Sequence, residues 1–103
     1  MAKRFEISLD VDAKLIDGKP MLNEAGEPIK VGRVIADHIA GSAAERNVIK
    51  LYNWASSMAK GEPVKCDSED LSSLKSFIEL LPRCPTLMKA QALEILNEAK
   101  AIE

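Results

Sequence analysis

The chain opens on a two-residue period. Phe5, Ile7, Leu9 and Val11 fall on one side and Arg4, Glu6, Ser8 and Asp10 on the other, which predicts a half-buried strand over residues 3–11. A second strand is expected over 14–16, up to a turn at Asp17 and Gly18. Residues 20–22 and 28–31 flank a loop at 23–26 whose Gly26 suits a positive backbone angle, and they predict a hairpin. Pro20 and Pro28 mark strand starts or edge positions. Much later, after Gly61, residues 62–66 are expected to be a short extended segment able to add a strand to the sheet edge. A two-stranded ribbon is marginal alone, so this ribbon is expected to lie on helices.

From Gly32 the period becomes helical. Val34, Ile35, Ala36, Ile39 and Ala40 make a short helix ended by Gly41. The organising helix is expected over 42–61. Ser42 and Glu45 read as its capping box, and Ala44, Val48, Leu51, Ala55 and Met58 as its stripe. Tyr52 and Trp54 broaden that stripe on either side, and Gly61 supplies the left-handed stop. A third helix opens at Asp67 or Ser68, with Asp67, Glu69 and Asp70 at its positive end. Its stripe is Leu71, Leu74, Phe77, Ile78 and Leu81, and Pro82 ends it. Thr86 is the expected cap of the last helix, whose apolar face holds Leu87, Met88, Ala92, Leu93, Ile95, Leu96 and Ala99 and looks wide for one side of a small domain. No internal repeat, low-complexity tract or linker is expected. The pattern predicts an α+β fold: an N-terminal antiparallel β-ribbon (1–31) packed on about four α-helices (32–103), as one domain over 1–103.

Composition narrows the function classes. At 103 residues a single core is sustainable. Aromatic residues make up 4%, too few for a base-stacking platform on single-stranded nucleic acid. Fourteen basic residues against sixteen acidic give a net charge of −2, with the basic residues spread singly. A face that tracks a phosphate backbone concentrates them, so nucleic acid is disfavoured as a partner. No apolar run reaches the length of a membrane span, and the first ten residues lack the apolar core of a signal peptide. The expected address is the host-cell cytoplasm, with Cys66 and Cys84 reduced.

Candidate chemistry is thin. Asp10 and Asp12 share one face of the first strand, with Glu6 further back, yet a metal cage needs more ligands than this alternation supplies. His38, beside Asp37, is the single histidine and has no neighbouring nucleophile in sequence. The glycines match neither a dinucleotide nor a P-loop spacing. No catalytic, cofactor-binding or metal-ligating residue is therefore expected, and no cofactor. Tyr52, Trp54 and Met58 are the candidate partner-binding residues, because exposed Trp and Tyr anchor interfaces. Trp54 reads alternatively as a core lid. Should the chain contact nucleic acid after all, Lys14, Lys19, Lys30 and Arg33 around the ribbon would have to converge.

The strings at 17–37, 51–64, 70–81 and 87–100 together resemble a group of small bacteriophage and prophage proteins. DGKPMLNEAGEPIKVGRVIAD is similar to their opening, and LYNWASSMAKGEPV to their centre. DLSSLKSFIELL and LMKAQALEILNEAK are similar to their two closing helices. The likeness spans 17–100 and implies a phage setting and the order strand, hairpin, helices. It carries no agreed activity and transfers no site residue. The expectation is a non-enzymatic module that binds another protein, or itself as a homodimer, as an assembly factor or a modulator of a host protein. The alternative is a nucleic-acid-associated accessory protein of phage replication or transcription.

Overall fold

The computed structural model describes residues 3–42 and 47–101. The fold is α+β. The elements run β1 (Arg4–Ile7), α1 (Val31–Ala40), α2 (Val48–Ala59), β2 (Val64–Asp67), α3 (Ser68–Glu79) and α4 (Thr86–Asn97), and the two short strands pair antiparallel. α1 packs against α2 and α4, α3 against α4, and both α2 and α3 against β2. One continuous core results, in which Leu9, Val31, Ile35, Val64, Leu74, Ile78 and Leu96 are buried almost completely. Each such aliphatic side chain contributes about 1.5–3 kcal/mol through burial.

The expected strand over 3–11 pairs only as far as Ile7, although Leu9 is still buried and Val11 is 43% exposed. Its partner is the segment after α2, since Phe5 lies opposite Cys66 and Ile7 opposite Val64. The expected strands of the hairpin region are isolated bridges instead: Asp12 with Lys30, Lys14 with Pro20, Leu22 with Pro28. Proline has no N–H to continue a ladder. What holds the region is a closed ring of three backbone hydrogen bonds. Ala13 N–H donates to Ile29 at 2.7 Å, Ile29 N–H to Met21 at 2.9 Å, and Met21 N–H to Ala13 at 2.9 Å.

The three ring residues are eight apart, and so are the turns between them. In the first turn Gly18 N–H donates to Leu15 O and Leu15 N–H to Lys19 O. In the second, Gly26 N–H donates to Asn23 O and Asn23 N–H to Glu27 O. Gly18 (φ 88°) and Gly26 (φ 80°) take the left-handed position each turn requires. The repeat is only Gly-x-Pro-apolar at 18–21 and 26–29, short enough to read as two unrelated turns in a sequence expected to have no repeat.

α1 seats on the end of the strand segment. Val31 N–H donates to Val11 O and Gly32 N–H to Leu9 O, both at 2.9 Å. A Cβ at Gly32 would stand 3.0 Å from the Leu9 carbonyl oxygen, so this close approach favours glycine.

α2 begins at Val48, six residues later than expected. Its N-cap, Asn47, has φ 56° and makes no side-chain cap bond. Ser42 does not cap it: the Ser42 hydroxyl donates to Ile39 O at 2.7 Å and closes α1. Glu45, with Ala44, lies outside the described residues. The expected stop holds, because Gly61 (φ 75°) donates to Met58 O and Glu62 N–H to Ser57 O, the paired bonds of a Schellman end. Asp67 caps α3 by accepting from Asp70 N–H at 2.8 Å. Thr86 is the first residue of α4 rather than its cap, a position taken by Pro85.

Candidate functional site

On α2 the phase of the helix buries Leu51, Trp54, Ala55 and Met58 and turns Val48, Ile49 and Tyr52 outward. Ile49 and Tyr52 are 71% and 69% exposed. On α3 the core stripe is Leu71, Leu74 and Ile78, continued by Leu81, which leaves Leu80 off-phase and 78% exposed. Val48 and Tyr52 line one shallow apolar hollow and Leu80 lines another, while Ile49 lines neither. One, of about 280 Å³, is walled by Ile39, Val48, Leu51, Tyr52 and Ala55. The other, of about 730 Å³, runs along Ser72, Ser73, Ser76, Phe77, Leu80 and Pro82. Ser42 lines both, so the hollows meet there. Neither is lined by a Lys, Arg, Asp or Glu side chain among the described residues.

Of the three expected partner-binding residues, Tyr52 alone is at the surface. Met58 is 2% exposed and belongs to the core. Trp54, 7% exposed, packs inward and donates its indole N–H to Lys65 O at 3.3 Å, which is how a buried Trp satisfies its one polar atom. Both residues spend their apolar area inside the fold and have none to offer a partner. The wide face of α4 is likewise consumed: Met88, Ala92 and Leu96 are buried and Leu93, Ile95 and Ala99 half-buried against the core. Among the described residues, exposed large apolar side chains lie on α2 (Val48, Ile49, Tyr52), at the end of α3 (Leu80) and in the ribbon region at Val11, Leu15, Ile16 and Leu22. Sequence reasoning passed over Ile49 and Leu80; the signal for both was an apolar residue out of phase with its helix's stripe.

A separate polar cleft of about 400 Å³ lies between α2 and β2, lined by Lys50, Asn53, Trp54, Glu62, Lys65 and Asp70. Lys50 donates to Asp70 at 2.7 Å, and that hydrogen bond holds the Lys50 ammonium above its ordinary pKa. The two charges neutralise each other across the cleft.

The four basic residues of the nucleic-acid reading sit on an alternating surface. Lys30 bonds Asp12, whose carboxylate raises the lysine's pKa, and Lys19 stands 4.0 Å from Asp17. Lys14 and Arg33 are exposed. The acids disperse in the same way. Glu6 lies 3.7 Å from Lys65, Asp12 faces Lys30, and the Asp10 carboxylate lies against Gly61. Among the described residues no three His, Cys, Asp or Glu side chains converge as metal ligands would. His38 is half-buried and donates from Nδ1 to Val34 O at 2.8 Å. Cys66 and Cys84 are buried free thiols. Burial pushes Cys66 up to about 11 and raises Cys84 also. No helix among the described residues is long and apolar enough to cross a membrane.

Against protein-family models, curated proteins and solved structures, the chain finds no match.

Proposed function

We propose that this chain is a non-enzymatic protein–protein interaction module of phage origin, acting as an assembly factor or as a modulator of a host protein. The supporting observation is the uncharged apolar surface that joins α2 to α3 through Ser42, with Ile49, Tyr52 and Leu80 standing clear of the core. Large exposed apolar residues grouped beside a groove carry a desolvation gain that a partner can collect. The serine hydroxyls of α3 provide hydrogen-bonding points at its edge without charge. The partner chemistry that fits is the apolar face of an amphipathic helix, placed with its own charges facing solvent. The phage setting rests on the sequence resemblance.

Affinity capture from host lysate with wild type, Tyr52→Ala, Ile49→Asp and Leu80→Asp tests the reading. All four proteins are expected to fold, since the changed side chains are exposed. One captured protein should weaken with Tyr52→Ala and vanish with either aspartate. Capture that is unchanged by all three substitutions places binding elsewhere and overturns the proposal.

A further inference from the structure

The sheet has two strands, and among the described residues no strand lies on the far side of β1. The far edge of β2 is treated differently: Trp54 of α2 donates its indole N–H to the Lys65 carbonyl, while α3 packs against both strands. β1 is thus the side on which another strand can add. Its outward face carries charges in a definite order. Across the pair, Arg4 stands opposite Asp67 and Glu6 opposite Lys65, while Phe5, Ile7, Val64 and Cys66 turn to the core side.

We infer that the occupant of the β1 edge is the β1 strand of a second copy of this chain, added antiparallel about a two-fold axis at Phe5. The register follows from the pleat and the charges. For the two copies to keep their core faces on one side of the joined sheet, opposed residue numbers must have an even sum. Centring on residue 4 sets Arg4 against Arg4, and centring on residue 6 sets Glu6 against Glu6. Centring on residue 5 sets Arg4 of each copy against Glu6 of the other and brings the two half-buried Phe5 side chains together. Each row across the four strands then reads Lys65, Glu6, Arg4, Asp67, with charge alternating at every step. The inference does not draw on the apolar surface of α2 and α3.

Solution mass by light scattering, over a concentration series of wild type, Arg4→Glu, Glu6→Arg and an equimolar mixture of the two variants, tests it. Wild type should dimerise and weaken as salt is raised. Each variant alone opposes like charges in both rows and should dimerise roughly tenfold or more weakly. The mixture opposes two acids to two bases and should recover the dimer. Melting curves of each variant establish that both are folded. A wild type that stays monomeric to its solubility limit overturns the inference, as does a salt-insensitive dimer. Variants that dimerise like wild type, or a mixture that stays monomeric, overturn it equally. A monomeric wild type would leave docking of a different protein on α2 and α3 untouched.

Discussion

The side-chain amide of Gln91 pairs with both backbone groups of Lys14, accepting from its N–H at 2.9 Å and donating to its carbonyl at 2.7 Å. A residue of the last helix thereby stands in for the strand neighbour that the proline-interrupted ribbon lacks. It ties residues 77 positions apart. Gln91→Ala should lower unfolding free energy by about 1–2 kcal/mol, since both bonds to Lys14 are lost where water can replace them at that exposed residue. Gln91→Glu should cost more, because a carboxylate cannot donate to the Lys14 carbonyl. Urea titration of the three proteins checks the order.

Gly32→Ala sets two effects against each other. Helix propensity favours alanine by about 1 kcal/mol. The new Cβ meets the Leu9 carbonyl oxygen at 3.0 Å and Leu9 Cβ at 3.1 Å, tighter than ordinary van der Waals contact, and Leu9 is itself buried. Overpacking of this kind costs about 1–3 kcal/mol, so the variant should be the less stable protein by thermal melting. A gain in stability would show that the α1 start is loosely seated.

Trp54 and Tyr52 are two residues apart and should behave oppositely. As the single Trp of the chain, Trp54 should emit at short wavelength in the native protein, resist quenching by iodide, and shift red on unfolding. Trp54→Ala removes a core ring and should cost about 3–5 kcal/mol. Tyr52→Ala, at an exposed position, should stay within about 0.5 kcal/mol of wild type.

That contrast shows where the sequence was legible. Helical periods located four helices, and Asp67, Gly41 and Gly61 marked the ends they were expected to mark. The start of α2 was misread, because a serine followed three residues later by glutamate also occurs where the hydroxyl turns back to the preceding helix. Residues 12–31 were legible as turns and not as pairing. Pro20 and Pro28 cut the ladder there to single bridges, whereas the segment after Gly61 that was expected to add a strand to the sheet edge does so as β2, with Cys66 opposite Phe5 61 residues away. For the candidate surface, amino-acid type pointed to Trp54, whereas phase would have pointed to Ile49 and Leu80.

The buried thiols should be slow to react. With Cys66 held near 11 and Cys84 raised, thiolate is scarce at neutral pH in the folded protein. Native protein should therefore label with a thiol reagent at pH 8 far more slowly than unfolded protein. The sign for stability follows. In the unfolded chain Cys66 ionises near its ordinary 9.0, while the folded thiol stays protonated to about 11. The unfolded state then binds fewer protons, and the contribution of Cys66 to stability, complete below pH 9, is lost as pH climbs towards 11. Denaturation midpoints at pH 8 and pH 10.5 should fall in that order, and Cys66→Ala should flatten the difference.

On the function proposed above, another protein docks on the surface joining α2 and α3. Site-specific photo-cross-linking reads this directly, with the photoreactive residue placed in turn at Tyr52, at Leu80 and at Glu98, an exposed position just past α4. In host lysate, positions 52 and 80 should give the same discrete adduct and position 98 none. Adducts from position 98 with none from 52 or 80 would contradict the account and put the docking surface on another side of the fold.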